Sequence, residues 1–458
     1  MDTRFSRTDT IAAVATGAQL SAVGILRLSG PEAIALADRL FEPMAGAPLA
    51  ARGDRKLVYG RLKTRAGDVL DLCLCTVSRG PHSYTGEDTA EFQCHGSPVV
   101  LRAALEELFA LGARQAGPGE FTKRAFLNGR MDLSAAEAVA DLIEAETVEA
   151  ARNAAGQLSG AIAVRVEGLY AALADISAHY HAVLDYPDED IEDFRLAAYR
   201  DTLTRALRDL RALRRSFEHG RLLRSGIPTV LIGRPNAGKS SLLNALLGYE
   251  RAIVTAVPGT TRDTIEEKLR LGGVCLRLTD TAGIRPTEDA VERLGVERSR
   301  AALAEAELVL VVIDGSETFT DEDAALLREA ERAPKALVLL SKSDRPPRTA
   351  AVETSLPVLP ISALTGEGID ELERAVAALF PRPAVPAGEI LTNARQAEAV
   401  ERAIEALEAA LQAMETGRTP DIVLTESEGA MAALGELSGR SVREDVTARI
   451  FSRFCVGK

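Results

Sequence analysis

The sequence predicts a multidomain chain of α/β and α character. A mixed α+β N-terminal domain is followed by a discontinuous helical domain, with a doubly wound P-loop domain inserted into it. Three observations carry this. A strand, a G-x-x-x-x-G-K-S turn and a helix succeed one another between Thr229 and Leu247. Residues 226–381 go on alternating strand-like and helical runs, the pattern of a parallel sheet covered on both faces. Ala/Leu/Glu-rich amphipathic helices lie on either side of that block, so the simplest arrangement is one helical domain interrupted by it. Two independent helical modules are the alternative. The resulting boundaries are 1–118, 119–225, 226–381 and 382–458.

The turn is the element with chemistry written into it. Gly233 and Gly238 let the backbone curl so that successive N–H groups point inward, and the following helix adds the partial positive charge of its N-terminus. Asn236, Ala237, Gly238, Lys239, Ser240 and Ser241 form a phosphate cradle. Lys239 reaches for β- and γ-phosphates, and the Ser240 hydroxyl is offered to magnesium.

Composition narrows the rest. A chain of 458 residues is long for one core and fits about three domains. Hydrophobic residues at 46% and charged ones at 26% are those of a soluble globular protein. With 54 Lys and Arg against 67 Asp and Glu, the net charge of −13 excludes whole-chain electrostatic attraction to nucleic acid. Any RNA contact is local or supplied by a partner. Five scattered cysteines make no disulfide framework and show no zinc spacing. No apolar run nears 18 residues and no leader pattern follows Met1, so the expectation is a cytoplasmic protein without a membrane partner.

In chain order, Val23–Leu28 and Leu70–Val77 alternate at period two and read as half-buried strands, which puts Cys73 and Cys75 on one face. Ala33–Phe41 and Val99–Leu111 read as helices. Between the second strand and the second helix runs a polar turn, Pro81–Asp88, leading into Glu91–Gly96. Ser134 and Glu137 are spaced as a capping box for a helix whose apolar face is Ala136, Val139, Leu142 and Ile143. Leu203, Leu207, Leu210, Leu213 and Phe217 stripe another helix, opposite a basic face of Arg205, Arg208, Arg211, Arg214 and Arg215, read first as a solvated surface. Pro381, Pro383 and Pro386 mark a linker, and Val400, Ile404, Leu407, Leu411 and Met414 a long amphipathic helix.

Further signals lie at strand ends after the P-loop. Gly259–Asp263 offers a threonine to magnesium, Thr261, with Thr260 beside it at the nucleotide. Asp280 and Gly283, in D-T-A-G, bring a carboxylate toward the metal and an N–H toward the γ-phosphate. Ser341, Lys342 and Asp344 end another strand, and the aspartate accepts from two guanine N–H groups, a pairing adenine lacks. Ser362 and Ala363 present a backbone N–H to the guanine oxygen. Ser341 stands where such motifs usually carry Asn.

Together with Ser83–Asp88 (S-Y-T-G-E-D), Cys94–Gly96 (C-H-G), Pro118–Arg130 (P-G-E-F-T-K-R-A-F-L-N-G-R) and Phe454–Lys458 (F-C-V-G-K), these stretches make the chain resemble the tRNA modification GTPases of the MnmE (TrmE) type. The glycines usual in the turn at Thr16–Val23 are mostly missing, and Arg130 replaces a common lysine. The resemblance implies GTP hydrolysis coupled to placing a carboxymethylaminomethyl-type group on the wobble uridine of certain tRNAs. It implies a homodimer that works with an FAD-carrying flavoprotein of the MnmG (GidA) family, in a heterotetramer or larger complex. It implies an N-terminal site for a tetrahydrofolate derivative (5,10-methylene or 5-formyl), with Arg27, Glu87, Arg130 and Lys458 around it and Cys455 nearby as a reactive thiol. It implies potassium held by Asn236, Thr255, Val257 and Thr260, with Arg262 and Glu292 in catalysis; Ile284 stands where many GTPases carry a water-orienting glutamine. A regulatory GTPase switch of the ribosome-assembly class is the alternative, and it has no need of the folate-site and tail motifs.

Overall fold

In the computed structural model the described residues are 9–17, 19–185, 196–249, 267–278, 303–349, 352–381, 385–439, 447, 450–452 and 454–458. The chain divides into two compact units. One comprises Met1–Ala140, Ala155–Ala206 and Glu405–Lys458, the other Asp141–Ala154 and Leu207–Ile404.

The first unit is built on a seven-stranded sheet of order β3-β4-β5-β6-β2-β1-β7. Its strands are β1 (Ile11–Val14), β2 (Ser21–Ser29), β3 (Phe41–Pro43), β4 (Val58–Lys63), β5 (Val69–Ser78), β6 (Thr89–Gly96) and β7 (Arg114–Gln115). All neighbours run antiparallel except β1 and β7. Period-two patterning does what it promises on β5, where Cys73, Cys75 and Val77 enter the core. Helices α1 (Ala33–Leu40) and α2 (Pro98–Ala110) pack into the same core through Leu36, Leu40, Leu101 and Leu108. The first helix stops one residue short of the Ala33–Phe41 expectation, because Phe41 turns extended and opens β3.

Helices α3 (Glu120–Leu127) and α4 (Leu133–Ile143) follow, then α5 (Val148–Leu158), α6 (Ala161–Asp185) and α7 (Leu196–Ser225). The start of α4 corrects the expected capping box. Asp132 caps it, its carboxylate accepting from the Ala135 N–H at 2.9 Å. Ser134 sits inside the helix, buried, and donates to the Leu437 carbonyl at 2.8 Å. The expected apolar face is also narrower, since Ile143 is 50% exposed. A buried hydroxyl chain joins α6 and α7 to α12 (Pro420–Ser438), with Tyr199 within 3.3 Å of Ser177 and 2.8 Å of Ser427.

The second unit holds a six-stranded sheet of order β13-β12-β11-β8-β10-β9. These are β8 (Ile227–Ile232), β9 (Glu267–Leu271), β10 (Val274–Leu278), β11 (Leu308–Asp314), β12 (Ala336–Ser341) and β13 (Val358–Pro360). All pairs are parallel except β9 with β10. Strand β11 is buried at every position, and its alternate residues enter different cores: Leu308, Leu310 and Val312 one, Val309, Val311 and Ile313 the other. That is the signature of a sheet covered on both faces. The helices of this unit include α8 (Lys239–Tyr249), α9 (Asp321–Ala330) and α10 (Ile369–Leu379); α11 (Ala394–Glu415) runs across the division between units. On α7 the basic stripe is partly paired: Arg214 meets Glu401 at 2.7 Å, and Arg208, its side chain 74% exposed, lies 3.7 Å from Asp209; beyond the stripe Arg221 meets Glu307 at 2.7 Å.

Asn153 on α5 pins an irregular stretch of this unit. Its Oδ1 accepts from Gly388 at 2.7 Å and Ile390 at 3.3 Å, and its Nδ2 donates to the Ile390 carbonyl at 3.1 Å. The side chain is 1% exposed, so water cannot replace it. Each buried backbone group left unpaired costs about 1–3 kcal/mol, so Asn153→Ala should destabilise the fold by at least ~2 kcal/mol. The measurement is the urea midpoint; an unchanged midpoint would contradict this role.

Candidate functional site

Parallel strands β8, β11 and β12 end at one edge of the second unit's sheet, and the sequence motifs gather there. β8 runs into Gly233, where a Cβ would collide with the Val312 carbonyl of β11; only glycine passes. The loop then turns through Asn236, in the left-handed region at φ 64°, and Gly238 at φ 101°, and enters α8 at Lys239. Arg234 is held from outside by Asp323 at 3.3 Å. Asp323 in turn closes a capping box with Thr320 at the start of α9.

The Lys239 ammonium donates to the carbonyls of Gly233 and Arg234 in its own loop. Burial pulls its pKa below the usual lysine range. Ala237 is buried, Ser240 half-buried and Ser241 exposed at the first turns of α8.

The strand-end residues lock onto this loop. Ser341 is 5% exposed, and its Oγ lies within reach of the Ala237 carbonyl in the P-loop and of the Ile313 carbonyl at 3.2 Å. Lys342, left-handed at φ 58°, donates to the Asn236 carbonyl at 3.1 Å and pairs with Asp314. Burial pushes the Asp314 carboxyl up, but hydrogen bonds from Lys342 and Ser316 outweigh it and leave its pKa lowered. Asp344 takes a 2.6 Å bond from the Ser362 hydroxyl on Oδ1. Ser362 Oγ also accepts from Leu364 and Thr365, which orders the turn carrying Ala363. Asn236, Ala237, Gly238, Lys239, Ser341, Lys342, Asp344 and Ser362 are thus drawn into one neighbourhood. Thr255, Val257, Thr260, Thr261, Arg262, Asp280, Gly283 and Glu292 lie outside the described residues. A cavity of about 160 Å³ lined by Leu222, Ile227, Val274 and Phe380 sits at the opposite, amino end of β8, away from this chemistry.

A second polar cluster lies in the first unit. Arg27 on β2 pairs at 2.7 Å with Glu91, its cross-strand partner on β6, and donates to the Gly457 carbonyl at 3.3 Å. Its guanidinium lies 5.5 Å from the Tyr84 ring centre and 5.6 Å from that of Phe121. Residues 455–458 are stitched to 118–121: Val456 bridges Pro118, Gly119 donates to the Cys455 carbonyl at 3.2 Å, and Phe121 to that of Lys458 at 3.1 Å. Gly457, at φ 98°, passes where a Cβ would strike the Val14 carbonyl. Cys455 is exposed. Arg130 donates to the Ser83 carbonyl at 3.1 Å, and its side chain lies against Gly86.

Glu87 accepts from Ser29 at 2.7 Å and from Arg124 at 3.1 Å. The sequence reading missed Arg124. It is buried and also pairs with Asp9 at 2.7 Å and Glu120 at 2.9 Å. Burial pushes the Glu120 carboxyl up, but bonds from Arg114, the Gly117 N–H and Arg124 outweigh it and lower its pKa. The available signal was Glu120 and Arg124 four apart on one helix face, inside the Pro118–Arg130 stretch.

Ser341 makes the P-loop clamp testable. A net hydrogen bond is worth about 0.5–1.5 kcal/mol, so Ser341→Ala should weaken guanine-nucleotide binding roughly two- to tenfold. Titration of a fluorescent GDP analogue measures it, and an unchanged Kd would remove Ser341 from the clamp.

Comparison with known proteins places the whole chain. The family description "MnmE helical domain" matches residues 133–455, and "GTP-binding protein TrmE N-terminus" matches residues 10–130. The tRNA modification GTPase MnmE of Symbiobacterium thermophilum is 44% identical, over 98% of this chain and 99% of that protein. Those of Chloroflexus aurantiacus and Bacillus subtilis are 44% and 42% identical, each over 98% of this chain and 100% of its own length. The chain therefore belongs to the tRNA modification GTPase MnmE family and is a GTP hydrolase of tRNA modification.

Proposed function

We propose that this GTPase installs a carboxymethylaminomethyl-type group on carbon five of the wobble uridine of certain tRNAs. It does so as a homodimer in the cytoplasm, with an FAD-carrying flavoprotein of the MnmG (GidA) family in a heterotetramer or larger complex. The observation that carries the reading is the coexistence of two sites in one chain. A clamped P-loop with Asp344 at a strand end serves GTP, and a polar cluster in the N-terminal sheet, covered by residues 455–458, serves a second ligand. A switch protein needs only the first. No helix among the described residues is long and apolar enough to cross a membrane.

The nucleotide site follows from its donors. Lys239 and the loop N–H groups hold phosphates, and Ser240 with Thr261 and Asp280 serves magnesium. Asp344 has one carboxylate oxygen engaged by Ser362, which leaves the other to accept from guanine.

A tetrahydrofolate derivative suits the second cluster, and its chemistry when bound is to supply a one-carbon unit. Arg27 and Arg130, with Lys458, meet its anionic groups, while the Tyr84 and Phe121 rings beside Arg27 offer apolar faces. Glu87 retains acceptor capacity beyond its bonds to Ser29 and Arg124, and Glu91 keeps a second carboxylate oxygen beside Arg27. Cys455, exposed next to this cluster, is the candidate reactive thiol. The helical domain is assigned to 119–225 and 382–458, with the G domain at 226–381 inserted into it.

The modification itself is the test of the reading. Mass spectrometry of wobble nucleosides from cells lacking this chain should show the modified uridine lost, and restored by the wild-type chain. Intact modification in its absence would refute the assignment.

Hydrolysis should be potassium-activated. Asn236, Thr255, Val257 and Thr260 are assigned to the cation, and Glu292 to orienting water, with Arg262 beside them. Turnover should rise strongly from sodium to potassium buffer, and Glu292→Ala should keep GTP binding but lose most turnover. Equal rates in the two buffers would rule out the cation role, and undiminished turnover in the variant would clear Glu292.

A further inference from the structure

We propose that Asp71, Cys73 and Cys94, with His95 as a positioning residue, form a binding site for a thiophilic divalent cation of the zinc class. The site is separate from both clusters above and independent of the proposed function.

The strand register makes the pair of thiols. Leu74 faces Gln93 and Cys75 faces Phe92 across β5 and β6, so the antiparallel ladder sets Cys73 opposite Cys94 on the core face. Both neighbours in the same row are glycines, Gly60 beside Cys73 and Gly24 beside Cys94. The Phe41 ring closes the space over Gly60, and the Leu101 side chain that over Gly24. The sulfurs therefore share a dry-walled slot, with Cys73 4% and Cys94 2% exposed.

Asp71 stands two residues before Cys73 on the same face, at the rim of that slot, with its side chain 9% exposed. His95 holds its carboxylate from both sides: the backbone N–H bonds Oδ2 at 2.8 Å, and Nδ1 lies 2.7 Å from Oδ1. The imidazole itself is 75% exposed, on the solvent side of the Asp71 carboxylate. One oxygen of Asp71 and the two sulfurs all lie within 4.8 Å of one another, the one such metal-competent group among the described residues. Zinc bonds to sulfur at about 2.3 Å and to carboxylate at about 2.0–2.2 Å, which sets tetrahedral donors roughly 3.5–3.8 Å apart. A small inward movement of these side chains satisfies that geometry. Paired sulfurs select zinc-class ions over magnesium and calcium.

Two thiolates and a carboxylate occupy three tetrahedral positions, and solvent on the His95 side supplies the fourth. Each thiol releases its proton to solvent as its metal–sulfur bond forms, and no electrons are exchanged. A metal here staples the facing strands β5 and β6 at one end of the N-terminal sheet.

Cobalt(II) is the probe, added to the reduced, chelator-stripped full chain. The expected result is one equivalent bound, with a thiolate-to-cobalt charge-transfer band and tetrahedral visible bands that zinc abolishes. Cys73→Ser and Cys94→Ser should lose the charge-transfer band, Cys455→Ser should keep it, and Asp71→Asn, outside the dry core, should weaken binding without touching a sulfur. His95→Ala should lower zinc affinity about 10- to 100-fold, the usual effect of removing a residue that orients a ligand. An unchanged far-ultraviolet circular dichroism spectrum of the metal-free chain in each variant verifies the fold. A chain without the band, a band that survives in both Cys73→Ser and Cys94→Ser, or a Cys73–Cys94 disulfide forming in place of metal binding would overturn the proposal.

Discussion

The parallel register of β11 with β12 is the constraint on which the nucleotide edge depends. It sets Asp314 opposite Ser341 at the strand ends, one residue before Lys342. From that single alignment the Lys342 ammonium reaches Asp314, and the Ser341 hydroxyl reaches the Ala237 carbonyl of the P-loop. Because a one-residue slip turns every side chain of a strand to the opposite face, the alignment cannot drift without exchanging residues between the two cores that β11 and β12 share. Packing two layers deep in the sheet thus decides how the phosphate loop is held. Lys342 adopts its left-handed backbone only because two partners fix its side chain.

The first unit is organised by charge where the second is organised by register. Arg124 is buried among Asp9, Glu87 and Glu120, and such a guanidinium is tolerated only with its donors matched. Its three acceptors come from the start of β1, the loop before β6 and its own helix. Glu87 is thereby oriented from behind, with Ser29 completing the grip. Two residues before Ser29 on the same strand, Arg27 is held between Glu91 and the Gly457 carbonyl. Both arginines act as rigid spacers between backbone segments, a use suited to a planar fork of donors.

Local patterns were legible in the sequence, and distant pairings were not. The strand before Gly233, the turn and α8 could be read from the nineteen residues Thr229–Leu247, and the parallel strands from their apolar runs. The helix at Leu133 was legible too, but not its cap: Ser134 and Glu137 fit a capping box, and only burial against Leu437 shows why the serine is used elsewhere and Asp132 takes over. Arg124 escaped notice because its meeting with Glu87 spans 37 positions. Ser341 stands where such motifs usually carry Asn, and only the fold shows what it does there: its hydroxyl reaches the Ala237 carbonyl of the P-loop. Thr255–Glu292 could be read only as motifs, since most of that stretch lies outside the described residues.

The seam between residues 118–121 and 455–458 has a consequence for how the protein is made. Arg27 and Gly457 are 430 positions apart, yet they share a hydrogen bond. A ribosome therefore delivers the whole seven-stranded sheet long before the strip that finishes its edge. During that interval Phe121 lacks its bond to the Lys458 carbonyl, and Phe126 lacks the ring of Phe451, 6.4 Å away in the finished fold. Closing so long a loop carries an entropy cost that grows only logarithmically with length, so the delay is one of synthesis more than of search. The N-terminal unit is the first to be translated and the last to be completed.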